Sequence, residues 1–261
     1  MLEDRPRVEQ AVIDLAGRRG YDVQRSAEAF AGRKLFLRYR SVLGQNDRVE
    51  VDLNYLFRLP LAGNEMRFLW QPGGLDRPQV RTVAMEELLG GKLLALLDRG
   101  AARDFWDTAH LPPPAAAVLG SPFFRAMLIA LSATLEHPLP SYGRDRLAAL
   151  LTDRDVSELL VPLLASSKTP RSADLFPRAW AVVEPFLSLD TNEKAYIAGI
   201  HRGEVRTDLL FPDNGSLALR IASHPAIQWK LANVRAYRAR KGRNQEGAVP
   251  RDSPEEGTPW R

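Results

Sequence analysis

The chain contains no cysteine. Disulfides, thiolate zinc sites and a cysteine nucleophile are therefore excluded, and the composition fits a reducing cytoplasm. Histidine is scarce too. His110, His137, His201 and His224 lie far apart and form no HExxH or HxH pattern, so zinc chemistry has no motif to rest on. The Gly-x-Ser-x-Gly signature of a Ser–His–Asp hydrolase is missing. A metal-dependent nuclease of the Asp…Glu-x-Lys type would need an acid two residues before a strand lysine, and "VEVDLNY" offers no such lysine.

Long apolar runs are absent as well. The most apolar window, "PPPAAAVLGSPFFRAMLIALSATL", is broken by prolines and by Arg125. Its helical part, from Pro122 to Leu135, is shorter than the ~20 residues a membrane span needs and reads as a buried core helix. The opening "MLEDRPRVEQ" is acidic and polar where a secretory signal would be apolar. The expected location is cytoplasmic, with no membrane partner.

What is present suits a folded protein. The 261 residues, 45% hydrophobic and 26% charged, allow one large domain or two of moderate size. A formal net charge of +4 permits an anionic partner without requiring one.

The first third predicts a small α+β unit. Asp4 and Pro6 suit a helix start, Val8, Ala11, Val12 and Leu15 form a stripe, and Gly20 ends it. "YDVQRS" is a short strand candidate. "KLFLRYRSVLGQNDRVEVDLNYLF" alternates as a hairpin about a "GQND" turn, with Glu50, Asp52 and Asn54 sharing the face opposite the valines. "RFLWQPGG" and "VRTVA" read as a further strand and a linker. Helices follow from Met85: the di-glycine segment, 103–111, 122–135, 153–166, 172–189, 192–203 and 216–240. The expected division is a core at 1–111, a helical domain at 112–240 and a disordered polar tail at 241–261.

The segment "EELLGGKLLALLDRGAARDFWD", residues 86–107, holds more than packing asks for. On a helix, Leu96, Arg99 and Arg103 fall within about 40° of the line through Lys92, beside a leucine face of Leu88, Leu89, Leu93 and Leu97. Gly90 and Gly91 cost a helix roughly 1 kcal/mol each relative to alanine, which points to close approach of a backbone or ligand. Arg103 and Asp107 stand at i, i+4 spacing, suited to an ion pair. Taken alone, a solvated cationic face and a weak surface pair account for these residues, and Asp52 alone reads as a wet strand position.

The combination is more specific. A "VEVDLNY" strand, then this segment, then a helical half resembles the AbiEii-type nucleotidyltransferase toxins of abortive-infection and toxin–antitoxin systems. The family's Leu-x-x-x-Lys-x-x-Ala pattern stands as Leu88, Lys92 and Ala95, its following Asp and aliphatic residue as Asp104 and Leu111. "YIAGIHRGEVRTDLLFPD" and "HPAIQWKLANV" resemble the helical tail of such proteins, so the likeness spans residues 20 to 235.

The resemblance implies a DNA polymerase β-like nucleotidyltransferase core with a small, mostly antiparallel sheet, followed by an all-helical domain. It implies phage defence by transfer of a nucleotide from NTP, with Mg²⁺, to an acceptor such as tRNA, and a cognate antitoxin. In that reading Asp52 is a metal-binding carboxylate, Lys92 contacts the triphosphate, and Asp104 orients the nucleophile or the lysine. Arg99, Arg103 and Asp107 bind substrate.

The family's glycine turn and paired-acid strand precede the opening helix in relatives and have no counterpart here. The core is thus expected to be N-terminally truncated, with an exposed, sticky first third. The Asp153–Asp155 pair lacks the glycine turn and reads as a helix cap. One carboxylate cannot hold two Mg²⁺ ions, so the alternative is a catalytically inactive remnant that binds an antitoxin or RNA. The basic "KLANVRAYRARKGR" could track a phosphate backbone or be a frayed, solvated helix. His224 reads as a core or cap residue, and Trp106, Trp180 and Trp229 as core.

Overall fold

A computed structural model describes residues 4–27, 29, 31–165 and 169–246, with side chains to residue 241. Helix α1 (Asp4–Arg18) leads into a three-stranded antiparallel sheet of β1 (Asp22–Arg25), β2 (Gly32–Arg40) and β3 (Asn46–Asn54), in the order β1-β2-β3. The β2–β3 register sets Leu35 opposite Val51 on the packed side and Lys34 opposite Asp52 on the polar side, as period-two alternation requires. The turn occupies 41–45, with Gly44 at φ +77°, so Asn46 and Asp47 of the expected "GQND" turn belong to β3.

A second hairpin follows, β4 (Asn64–Phe68) with β5 (Gln79–Val83). The "VRTVA" segment is thus a paired strand rather than a linker. Met66, Phe68 and Val83 lie on one face of this hairpin, exposed. The α1 stripe is also largely exposed. Only Ala16 is buried, and the helix is held by polar bonds: Glu9 accepts from the Tyr55 hydroxyl at 2.8 Å and from Arg33 at 3.1 Å.

The remainder is helical: α2 (Met85–Asp98), α3 (Ala102–Ala109), α4 (Ala115–Leu119), α5 (Pro122–Ser132), α6 (Arg144–Ala148), α7 (Asp153–Asp155), α8 (Ser172–Leu187), α9 (Thr191–Arg202), α10 (Gly215–Ala222) and α11 (Pro225–Glu246). α5 starts at the expected Pro122, capped by Ser121, and its Met127 to Ser132 are buried. Thr152 caps α7, and Asp153 accepts the Ser172 N–H at 2.8 Å. Beyond α7 the 153–166 helix loosens into a π turn and a 3₁₀ turn around Pro162, whose ring cannot continue the ladder.

The expected single helix over 216–240 is two. Pro225 lacks the N–H to continue α10 and starts α11 instead. Residues 241–246, assigned to the tail, extend α11, and 247–261 lie outside the described residues.

One hydrophobic core runs from Leu61 through α2, α3, α5, α8 and α9 to Leu231, with no break in packing at residue 112. On α2, Leu94 and Leu96 join Leu89, Leu93 and Leu97 inside, whereas Leu88 is exposed. The segment at 59–62 is clamped between sheet and helices. Glu87 accepts the backbone N–H groups of Leu61 and Ala62, Arg220 donates to the carbonyls of Pro60 and Leu61, and His224 meets that of Leu59 at 3.2 Å.

Candidate functional site

Three hollows adjoin along one side of the molecule. The first, about 490 Å³, lies beside β2 and β3 and is lined by Lys34, Asp52, Asn54, Leu56 and Phe57. The second, about 460 Å³, shares Asn54, Leu56 and Phe57 with it and adds Glu87, Gly91, Ala95, Asp98 and Trp229. The third, about 1070 Å³, shares Asp98, Thr134 and Trp229 with the second and is walled by α9 and α11. Shared lining residues set the three in a row, a segmented trough.

This arrangement accounts for one of the two glycines of α2. A Cβ at Gly90 would stand 3.4 Å from the Met127 methyl, an ordinary van der Waals contact, so packing against α5 does not require glycine there. A Cβ at Gly91 would meet nothing within 4 Å, because Gly91 faces the trough. Gly91 keeps a floor open, and no contact at Gly90 calls for a glycine.

The charged residues of α2 and α3 pair with each other. Lys92 Nζ lies 2.6 Å from Asp107 Oδ2, with both side chains partly in solvent. The Arg99 guanidinium grips Asp104 with two bonds of 2.8 Å, and Asp104 also accepts the Ala101 N–H at 3.1 Å. Asp104 is buried, and its hydrogen bonds hold the Arg99 guanidinium above its ordinary pKa. Asp107 therefore pairs with Lys92 from α2, not with Arg103 at i−4, and Arg103 is exposed. The inter-helix ammonium reaches Asp107 directly and displaces the weaker local pairing.

At the sheet end of the trough, Lys34 Nζ stands 3.5 Å from both Glu50 Oε2 and Asp52 Oδ1. The carboxylate of Asp52 is mostly in solvent, so this is a surface contact. Asp52 lines the first hollow, whereas Lys92 lines none of the three and bonds to α3. The structure brings Lys92 to Asp107 and Arg99 to Asp104, but no hollow of the trough holds Asp52 and Lys92 together. Among the described residues, no group of three or more His, Asp or Glu is placed to hold a metal ion.

Several trough residues were missed by sequence reasoning: Lys34, Asn54, Phe57 and Asp98; Gly91, singled out for close approach of a backbone or ligand, lines the second hollow. Trp229, read as core, is 37% exposed and lines two of the hollows. Trp180 and His224 are buried as read. Burial lowers the His224 pKa, which keeps its ring neutral against the Leu59 carbonyl.

No described helix is long and apolar enough to cross a membrane. No curated protein and no solved structure matches the chain. Residues 2–181 match the family model of the AbiEii nucleotidyl transferase toxin, Type IV toxin–antitoxin system, which spans more than half of the sequence and includes α1 to α7 and most of α8. On the α+β architecture, the di-glycine helix and this match, the chain belongs to the AbiEii family of nucleotidyltransferase toxins, whose members are paired with an antitoxin.

Proposed function

We propose that this chain transfers a nucleotide from an NTP to an RNA acceptor such as tRNA, with the trough as the place where the two meet. The observation that carries this reading is the row of hollows with shared lining residues, from that of Lys34 and Asp52 past Gly91 to the cations of α11. In such a transfer the acceptor hydroxyl forms a bond to the α-phosphorus, the bond to pyrophosphate breaks, and the hydroxyl proton passes to solvent or a base. Lys34 supplies positive charge for the triphosphate at the sheet end, held in place by Glu50 and Asp52. In this reading Lys92, Arg99 and Arg103, which line none of the three hollows, contact acceptor phosphates beside the trough. For Lys92 and Arg99 a phosphate has to compete with an aspartate, which Lys92 allows more readily because both members of its pair reach solvent.

Mg²⁺ is the cation expected to accompany the NTP, in a polymerase β-like arrangement of carboxylates. The residues described do not build a two-ion site: Asp52 and Glu50 share a strand face with Lys34 between them, and no third donor joins them. No step is assigned to a metal for that reason. The same observation favours a second reading, an inactive member of the family that binds its antitoxin or an RNA.

Incubation with each labelled NTP and total tRNA separates the two. Transfer that Asp52→Ala and Lys92→Ala both abolish supports the enzyme. Absence of transfer with all four nucleotides refutes it in favour of the binding protein.

A further inference from the structure

The third hollow lies largely outside the part of the chain that matches the family model, because α9, α10 and α11 follow residue 181. We propose that it is a clamp for an unpaired RNA strand, which stacks its bases on Trp229 and Tyr237 and sets its phosphates along α11. This deepens the reading of an RNA acceptor given above and assigns that acceptor's single-stranded segment to a particular surface.

Four observations carry it. Lys230, Asn233, Val234, Tyr237, Arg238 and Lys241 recur at spacings of three and four and form the α11 wall of the cleft. Over residues 225–241 the helix carries five lysines and arginines and no acid, so its field attracts a polyanion. Tyr237 is 62% exposed and Trp229 37%, and they stand eight residues apart, ~12 Å along the helix axis. Exposed rings interleaved with cations are how proteins hold unpaired bases, since every base offers a π-face. The fourth observation is His201. Its Nε2 is enclosed at the cleft wall without a hydrogen-bond partner, a free donor or acceptor for a base edge or a ribose hydroxyl.

The cations are also fixed before any ligand arrives. Arg235 donates to the Gly203 carbonyl and Arg238 to that of Arg202, both at 2.8 Å, which ties α11 to the end of α9. Lys230 donates to the carbonyls of Leu135 and Glu136, and burial draws its pKa down. Burial, with Lys230 and His137 nearby, likewise lowers the His201 pKa and favours a neutral ring. Lys241 and the guanidinium nitrogens of Arg238 that do not meet Arg202 are left at the open end as the phosphate contacts.

The lining also selects among polyanions. Asp98 and Glu136 face the α11 cations across the cleft, and they would repel an acidic peptide along its whole length. A nucleic-acid strand meets both walls, with phosphates on the cations and base amino groups toward the carboxylates and Asn233. A duplex hides its base faces and cannot use the two rings. Because Asp98, Thr134 and Trp229 are shared with the next hollow, a strand held here leads toward Gly91 and Asn54.

The test is fluorescence anisotropy with a labelled unpaired RNA of about twelve nucleotides, the same sequence as a duplex, and polyglutamate as competitor. The full chain is compared with Tyr237→Ala, Trp229→Phe and the Arg238→Gln/Lys241→Gln double variant, each checked for an unchanged melt. Tyr237→Ala should weaken unpaired-RNA binding about fivefold or more, while Trp229→Phe, which keeps a ring, changes it little. The double variant should lower the slope of log affinity against log salt by about 1.4, two contacts at ~0.7 each. Binding that ignores Tyr237→Ala and the double variant overturns the clamp. So does equal affinity for the duplex, or competition by polyglutamate as strong as by RNA. The transfer assay separates this from the reading it rests on. RNA binding sensitive to these variants without nucleotide transfer removes the transferase and leaves the clamp. Transfer that proceeds unchanged in both variants at subsaturating tRNA removes the clamp and leaves the transferase.

Discussion

Replacing Asp104 distinguishes a carboxylate that holds two helices together from one that touches a reacting group. Its side chain is 5% exposed and accepts three bonds, two from Arg99 at 2.8 Å and one from the Ala101 N–H at 3.1 Å. It also sits in the first turn of α3, where a negative charge is favoured by about 0.5 kcal/mol. Breaking a buried ion pair costs ~3–5 kcal/mol, but Arg99 is half in solvent and regains water when freed. The discounted expectation for Asp104→Ala is therefore about 2 kcal/mol. Arg99→Ala should cost as much or slightly more, since it strands the buried carboxylate on a single N–H.

The assay is urea unfolding of the two single variants and the double variant. With a slope of roughly 3 kcal/mol/M, a loss of about 2 kcal/mol lowers the midpoint by ~0.7 M. The double-variant cycle should return a coupling of about 1.5 kcal/mol or more. For Lys92 and Asp107, whose pair is open to water, the same cycle should return less than ~1 kcal/mol. An Asp104→Ala chain that unfolds within ~0.5 kcal/mol of the parent, with no coupling to Arg99, refutes the argument. If that stable chain also lost nucleotide transfer, Asp104 would belong to the chemistry instead.

Two further outcomes follow from the trough and its surroundings. Gly91→Leu places a side chain in open space on a helix that prefers leucine to glycine by about 0.8 kcal/mol, so the melting temperature should hold or rise while nucleotide transfer falls; a drop in melting temperature would show that Gly91 is packed after all. Because burial lowers the His224 pKa from 6.5, the unfolded chain takes up that proton more readily, and stability is lost as pH falls through 6.5 toward the folded value. His201 is shifted the same way, so His224→Asn should shrink, not abolish, the fall in urea midpoint between pH 7 and pH 5, and an unchanged fall would contradict the burial argument.

Periodicity made the hairpin of β2 and β3 legible, because alternation over nine residues in each strand has few other meanings. Its register was not. With the turn read at 44–47, Lys34 could not be matched to Asp52, although Gly44 in a left-handed conformation and five turn residues from Ser41 to Gln45 fix that pairing. A break before Pro225 was readable from the proline alone and was overridden by the apolar spacing on either side. The burial of Asp104 left no trace in local pattern. It depends on α8 and α2 both closing on α3, and sequence spacing favoured the i, i+4 partner Arg103 for Asp107. Trp229 fits a core stripe by spacing, yet α11 passes the edge of the core there, and only the fold shows one side of the ring bare.

The composition of residues 86–107 follows from three neighbours that crowd one helix. Around α2 at 100° per residue, Glu87, Gly91 and Asp98 fall within about 40° of each other, and these are the residues that face the trough. Lys92 and Arg99 lie next round the axis and reach to Asp107 and Asp104 of α3. Gly90, Leu89, Leu93, Leu96 and Leu97 occupy the remaining arc against the core. An amphipathic helix needs only two faces. The third carries the lysine and arginine, whose ion pairs to Asp107 and Asp104 add to the apolar packing of Ala102 and Phe105 that holds α3 against the core. The two ion pairs lie beside the trough without filling it, and Gly91 leaves its floor open to whatever the trough binds.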